Sequence, residues 1–377
     1  MKVLYVSKAS VVPAYQAKLG ALAAHVRIDA VIPARWGAER ASAVLAADAS
    51  VRTGRVLFHG HNHLHIYADA RAIVRSSRPD IVHLDEEPYS AVTFQFARLC
   101  RPSHVPFVFF AWQNLDKRIP APFGAMRRYV LARAAAGIAG TKRAADVLRA
   151  AGFHREIAVI PQLGVDPHRF RPDAQARHAA RERLAISEDA FVAGFAGRLV
   201  PEKGVDLLLD AAAAAPDVHV LVIGDGPERA RLERRAAGNG IFARTRFTGH
   251  VGSLDVPLWL NALDVLVLPS RTTRHWVEQF GRVLVEAMAS GIPVIGSASG
   301  EIPNVIGPAG LTFAEGDTAM LVARLVELRA VRGFRAKLGA LGRERVLAEF
   351  TQDRIARDTL ALYDRVLANG VNGGPRR

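Results

Sequence analysis

Glu278-Gln279-Phe280-Gly281-Arg282-Val283-Leu284-Val285-Glu286-Ala287-Met288-Ala289, followed by Gly291-Ile292-Pro293-Val294-Ile295, sets two carboxylates with seven residues between them around a turn glycine, then runs into an apolar strand. The apolar spacing of Val283, Leu284 and Met288 predicts a helix that opens at or just after Gly281. Glu278 then lies in the loop before the helix, and Glu286 about two turns inside it. A helix start carries free N–H groups and a partial positive charge. Carboxylate acceptors beside such donors suit a ligand rich in hydroxyls.

Short apolar runs at 2–6, 81–84, 107–111, 158–160, 192–196, 219–223, 265–268 and 293–296 alternate with helix-like stretches. Buried parallel strands have this character, so the fold class read from the pattern is α/β and doubly wound, with a repeated architecture. The segment 161–172 holds three prolines and is followed by a polar stretch, which puts a domain boundary near residue 172. The expected divisions are 1–172, 173–350, a helix over 351–368 and a disordered tail over 369–377.

The stretch around Glu278 and Glu286 resembles the Glu-seven-residues-Glu motif of the GT4 family of retaining glycosyltransferases, which have the GT-B fold. Three other segments match in the family's order. Gly194-Phe195-Ala196-Gly197-Arg198-Leu199-Val200-Pro201-Glu202-Lys203-Gly204 resembles the phosphate-binding segment. Val222-Ile223-Gly224-Asp225-Gly226-Pro227 resembles the strand end and turn that follow. Ile160-Pro161-Gln162-Leu163-Gly164-Val165-Asp166 resembles the inter-domain linker. The resemblance implies two Rossmann-like doubly wound domains facing a central cleft. The first domain would bind the acceptor and the second a nucleotide sugar, and the last helix would return to the first domain. The implied reaction moves a sugar from a nucleoside-diphosphate sugar to a hydroxyl acceptor with retention, in cell-envelope, polysaccharide or glycolipid synthesis.

Arg198 and Lys203 follow a strand end, where ligands gather in open α/β sheets. A guanidinium fork and a mobile ammonium suit a diphosphate leaving group. With Glu278, directed at the transferred sugar, they are the expected catalytic set. Glu286 is expected on the ribose. Gly197, Phe280 and Gly281 are expected to complete the donor site, the last two through backbone N–H groups. No Asp-x-Asp pattern appears, so no metal or other cofactor is expected beside the nucleotide-sugar co-substrate. Gly224-Asp225-Gly226-Pro227 lacks the spacing of a dinucleotide fingerprint, which disfavours a nicotinamide dehydrogenase. The loop 269–277 is expected at the mouth of the site.

The N-terminal half departs from the family pattern. Its first strand-to-helix loop, Ser7-Lys8-Ala9-Ser10-Val11-Val12-Pro13, lacks the paired glycine of many relatives. Trp112-Gln113-Asn114 stands where many carry a histidine, so the usual catalytic histidine cannot be transferred. Gln113 and Asn114 are candidates for sugar or acceptor contacts, and Asp85 and Glu86, at the end of strand 81–84, for acceptor hydroxyls. His59, His61, His63 and His65 alternate, so on a strand they would share one face. Metal binding there is the sharper reading of that run; a polar strand end is the plainer one.

The chain of 377 residues carries a net charge of +14. Residues 1–172 hold 24 lysines and arginines against 12 acids, so nearly all the excess lies in the first half. That fits a plain solvated surface, or a face for an anionic membrane or phosphorylated acceptor. No nucleic-acid motif accompanies it, so nucleic acid is not an expected partner. Expected partners are the nucleotide-sugar donor, a hydroxyl acceptor that includes lipid-linked ones, and an anionic membrane. Arg127, Arg128 and Arg133, with Lys142 and Arg143, form a candidate basic surface for such a membrane. Cys100 is the lone cysteine, and no apolar run reaches membrane-span length, so the expected location is the cytoplasm or the inner face of the membrane. The other readings are a different GT-B enzyme, such as a nucleotide-sugar epimerase or hydrolase, and a non-catalytic sugar-nucleotide or membrane-binding protein.

Overall fold

The computed structural model describes residues 1–372 except 13, 14, 38 and 42–48. The chain forms two compact units, Met1–Gly164 with Gln352–Arg377, and Val165–Thr351. The division falls at 164/165, earlier than the expected 172. Val165 donates its N–H to Phe350 O, and Phe170 is buried in the core of the second unit, so the proline-rich segment is already part of that unit.

The first unit carries a seven-stranded parallel sheet: β1 (Lys2–Val6), β2 (Arg27–Pro33), β3 (Ala49–Gly54), β4 (Ile81–Leu84), β5 (Phe107–Ala111), β6 (Ala136–Ala139) and β7 (Ile157–Val159). Its spatial order is β3-β2-β1-β4-β5-β6-β7. The second unit carries β8 (Phe191–Ala196), β9 (Val218–Ile223), β10 (Thr245–Gly249), β11 (Val265–Leu268), β12 (Val294–Ser297) and β13 (Leu311–Phe313). These are also parallel, in the order β10-β9-β8-β11-β12-β13. Both sheets reverse direction beside their first strand, which is the Rossmann order 3-2-1-4-5-6. The crevice at that switch point, at the carboxyl ends of β8 and β11, is where such a sheet holds a ligand.

The inner strands are buried on both faces, as continuous Val/Ile/Leu/Ala/Phe runs require, while the edge strands β3, β7, β10 and β13 are half-exposed. The last helix, Gln352–Asn372, seats Ile355, Leu362, Tyr363 and Val366 against β1 and β2 and the helix Ala17–Ala23. It continues beyond the expected 368, so 369–372 are helical rather than part of a disordered tail. Residues 373–377 lie outside the described residues.

One local expectation fails. His59 to His65 is not a strand but a turn between the short paired strands Val56–Leu57 and Ile66–Tyr67. Phe58 at φ +57° and Gly60 at φ +85° turn the chain, and His61 O accepts the N–H groups of Leu64 and His65. The histidines therefore do not share a face. Among the described residues no group of three His, Cys, Asp or Glu is placed to hold a metal ion. No helix among them is long and apolar enough to cross a membrane.

Candidate active site

In the second unit β8 ends at Ala196 and the chain turns through Gly197 at φ +151°. Three backbone hydrogen bonds stitch this turn to the end of β9: Gly197 N to Ile223 O, Leu199 N to Asp225 O, and Glu228 N to Leu199 O, at 2.9–3.1 Å. The approach is so close that a Cβ on Gly224, at φ +134°, would lie 2.0 Å from Gly197 O. Pro201–Lys203 forms one 3-10 turn, and Gly204 at φ +65° opens the helix Val205–Ala214. A Cβ on Gly204 would meet Pro269 O at 2.1 Å, which brings Lys203 beside the loop that leaves β11.

Glu278 stands in that loop. Its Oε2 accepts hydrogen bonds from Lys203 Nζ at 2.6 Å and from Ser270 Oγ at 2.8 Å, and its side chain is only 8% exposed. Its own carbonyl accepts Glu301 N, beneath Gly300, whose absent side chain permits the contact. Gly281 at φ +74° caps the helix Arg282–Ala289, so the helix starts where the spacing predicts. Glu286 sits about one turn inside it, not two, because the first helical residue is Arg282. Its Oε1 pairs with Arg282 Nε at 2.9 Å. Burial raises the Glu286 carboxyl above the ordinary range, with Arg282 opposing.

Gly197, Arg198, Lys203, Glu278, Gly281 and Glu286 line one cavity of about 620 Å³. Arg198 is exposed toward solvent. Phe280 does not line this cavity; its ring packs edge-on against Phe350 at 5.9 Å. The loop 269–277 is tied down instead of lining it. Arg271 forks onto Asp206 at 2.7 and 3.0 Å, and Thr272 bonds Glu315 at 2.6 Å. Trp276 contributes a ring 5.0 Å below Lys203 Nζ. Ser270, within the loop expected at the mouth of the site, is the hydroxyl partner of Glu278; the motif reading missed His250, Val251 and Val256, of which the two valines with Ile223 give the cavity an apolar wall. These three follow β10, a strand with Thr and Arg in it that hydrophobic runs do not reveal.

In the first unit Asp85 and Glu86 are buried at the end of β4 and paired to the first loop. Asp85 Oδ2 accepts Ser7 Oγ at 2.8 Å, and Glu86 holds both the backbone N–H and the ammonium of Lys8. Lys8 thus occupies the loop in which the resemblance leads one to expect a paired glycine. Glu87, which the sequence offers with Asp85 and Glu86 as a third carboxylate for acceptor hydroxyls, instead accepts Trp112 N at 2.8 Å and Gln113 N at 3.0 Å. It fixes the turn that replaces the usual histidine. Gln113 Nε2 donates to Leu115 O at 2.9 Å, and Asn114 is buried with its carbonyl on Arg143 Nε at 3.2 Å.

Burial pushes the Glu87 carboxyl up to about 7, against the pull of its two N–H donors. Between pH 4.5 and about 7 the folded chain therefore keeps a proton that the unfolded chain has lost, so this group makes stability fall as pH rises through that window. Glu87→Gln keeps an acceptor for the N–H groups and removes the titration. Its melting temperature is expected to fall less than that of the wild type between pH 5 and pH 8, by scanning calorimetry.

Two Rossmann-like units of this topology are those of the GT-B fold. Anabaena HepE in complex with UDP has the same fold, with a TM-score of 0.76 over 97% of this chain and 100% of that one at 19% identity. Residues 176–345 match the model of the family described as glycosyl transferases group 1. A 2-deoxystreptamine glucosyltransferase of Streptomyces kanamyceticus is 35% identical over 316 residues, which cover 81% of this chain and 77% of the relative. A GDP-mannose-dependent monoacylated alpha-(1-6)-phosphatidylinositol monomannoside mannosyltransferase of Corynebacterium glutamicum is 35% identical over 208 residues, 53% of this chain and 54% of that one. The chain belongs to the glycosyl transferases group 1 family and is a glycosyltransferase.

Proposed function

We propose that the cavity of the second unit takes a nucleoside-diphosphate sugar and that the enzyme transfers its sugar, with retention, to a hydroxyl acceptor. The observation that carries this reading is the convergence of Arg198, Lys203, Glu278 and Glu286 on one cavity, with Lys203 and Glu278 in direct contact. Arg198 and Lys203 neutralise the departing diphosphate, so no metal is called on for that charge. Glu278 accepts from the sugar hydroxyls while Lys203 and Ser270 hold its other oxygen. Glu286 accepts from the ribose hydroxyls in exchange for part of its contact with Arg282. The apolar wall of Ile223, Val251 and Val256 suits a flat base. The leaving phosphate takes the acceptor proton, so no side-chain base is required.

The acceptor belongs to the first unit in this reading, near Asp85, Glu86, Gln113 and Asn114. Both carboxylates are already paired, so an acceptor hydroxyl would meet the Lys8–Glu86 pair or the amide of Gln113. The excess of positive charge in residues 1–172, with Arg128, Arg133, Lys142 and Arg143 exposed, supports a peripheral position on the inner face of a membrane and a lipid-linked acceptor in glycolipid or polysaccharide synthesis.

The test is a thermal-shift panel of UDP, GDP, ADP and their common sugars, without added metal, on wild type and Arg198→Ala. The relatives' names include GDP-mannose and a glucosyl group, so both are in the panel. A single nucleoside diphosphate is expected to raise the wild-type midpoint, by about 2.7 kcal/mol of stabilisation at a hundredfold excess over Kd, and to act weakly on Arg198→Ala. No shift with any nucleotide would remove the donor-site reading.

A further inference from the structure

The hairpin of the first unit, 56–67, has a buried base and an exposed apolar tip. At the base Tyr67 is buried edge-on against Phe96 at 5.9 Å, and Gln95 bonds both its N–H and its carbonyl, at 2.9 and 2.8 Å. At the tip Leu57, Phe58 and Leu64 are 48%, 60% and 44% exposed. Phe58 is held at φ +57°, a conformation that costs an aromatic residue and that here turns its ring to solvent. The turn is ordered by its own hydrogen bonds: Phe58 O accepts His61 N at 3.2 Å, and His61 O accepts Leu64 N and His65 N. Three exposed large apolar side chains on a preformed turn need an apolar surface to cover them.

Charge narrows the partner. Residues 49–68 contain two arginines and no carboxylate, flanked by Asp69 on Arg55 N, and burial keeps His63 and His65 neutral. Arg52 is paired with Asp29, whereas Arg55 is exposed. The neighbouring hairpin, Arg35–Trp36 with Glu39–Arg40, touches this one: His59 Nε2 lies 2.7 Å from Arg35 O, and the Trp36 ring is 4.8 Å from His65. It adds exposed Arg35 and Arg40 against the single acid Glu39. A cationic collar around an aromatic and aliphatic tip matches the interface of an anionic bilayer, where aromatic side chains settle at headgroup level and basic groups meet phosphate.

The tip also hangs from the candidate acceptor end of the sheet. His63 O accepts Ala91 N at 2.9 Å, His63 Nδ1 meets Ser90 Oγ at 3.1 Å, and His65 Nε2 is 3.8 Å from Glu86 Oε1. We propose that Leu57, Phe58 and Leu64 insert into the interface of an anionic phospholipid bilayer and so present a lipid-linked hydroxyl acceptor to the Asp85–Glu86 end of β4. This rests on the membrane-associated reading above and names the element that makes the contact. It also gives His59, His61 and His63 a place, as the polar collar of a membrane-seeking turn, with His65 buried at its base.

The experiment is sedimentation of the full chain with vesicles of equal phosphatidylcholine and phosphatidylglycerol, and of phosphatidylcholine alone, at low salt. Wild type is expected to bind the anionic vesicles, and Phe58→Ser/Leu64→Ser to bind about tenfold more weakly, since two large apolar groups are lost from the buried contact. Both side chains are exposed, so the variant keeps the wild-type melting temperature. A second readout is an environment-sensitive dye on Leu64→Cys; the native Cys100 is buried and its thiol is pushed up to about 12, so it does not compete. The dye is expected to shift to the blue only with anionic vesicles. Equal binding by wild type and double variant, with no dye shift, overturns the hairpin assignment and leaves the membrane reading standing. No binding by wild type overturns both. Self-association of wild type without vesicles, abolished in the double variant, overturns the lipid assignment in favour of a second copy of the chain.

Discussion

Lys203→Ala is expected to lower kcat about a hundredfold or more, with a smaller effect on the KM for the donor. Two losses combine. A cation aimed at a leaving group that gains charge in the transition state contributes about 3 kcal/mol of barrier lowering, or about a hundredfold in rate. The second loss is positional. Lys203 Nζ donates to Glu278 Oε2 at 2.6 Å, and the Glu278 side chain is only 8% exposed. Without the ammonium, the carboxylate loses its charged partner at 2.6 Å and retains the neutral hydroxyl of Ser270 on that oxygen. A buried carboxylate that loses a charged partner is driven to protonate or move, and in both cases the sugar loses its acceptor. The measurement is steady-state kinetics with the donor that the thermal-shift panel identifies, on Lys203→Ala, Glu278→Gln and the double variant. Residues that act as one unit give a double variant scarcely worse than the worse single one. A kcat within threefold of wild type in Lys203→Ala would sink the leaving-group role. Additive losses would sever the functional coupling of the pair.

Gly224→Ala is expected to destabilise the second unit by about 3 kcal/mol, the scale of a strained non-glycine conformation compounded by overlap. Gly224 has φ +134°, which L side chains rarely adopt, and its Cβ would lie 2.0 Å from Gly197 O. Neither side can yield cheaply. Gly197 N is bonded to Ile223 O, and Leu199 N to Asp225 O, so the two turns move together or not at all. For a unit of this size the midpoint should fall by about 6–12 °C, read by calorimetry. The same displacement would carry Arg198 away from its place, so donor-induced stabilisation should vanish even at temperatures where the variant is folded. A variant with wild-type melting and wild-type donor response would show that the turns are looser than their hydrogen bonds imply.

The sequence was most legible where burial is continuous. Runs such as Phe107–Ala111 and Val265–Leu268 are short, apolar on both faces and bounded by turn residues, as central parallel strands are. It was least legible where strands carry polar residues. Ala49–Gly54 and Thr245–Gly249 lie at sheet edges, with Ser, Arg and Thr among them, and no apolar run marks them. With β10 unmarked, the apolar wall supplied by Val251 and Val256 was hidden too. Alternation misled at His59–His65, because a period of two also occurs in a turn whose geometry is set by φ at Phe58 and Gly60. Periodicity carries no information about those angles.

The donor-site residues were readable one by one, since glycines at strand ends and cations at helix starts are local signals that neighbouring residues define. What tertiary structure alone decided is who meets whom. Lys203 and Glu278 are 75 positions apart and share a hydrogen bond because β8 and β11 are neighbours across the switch point of the sheet. Phe280, two residues from Glu278 in the chain, instead packs half-buried against Phe350 at the edge of the core. Asp85 and Glu86 read as free acceptor acids, yet the adjacency of β1 and β4 hands them to Ser7 and Lys8. The hydrophobic pattern is a one-dimensional record of burial and settles which segments become strands and helices. Partners across a sheet are chosen by strand order and by the close backbone approach that Gly204, Gly224 and Gly300 permit, and these are properties of the packed chain.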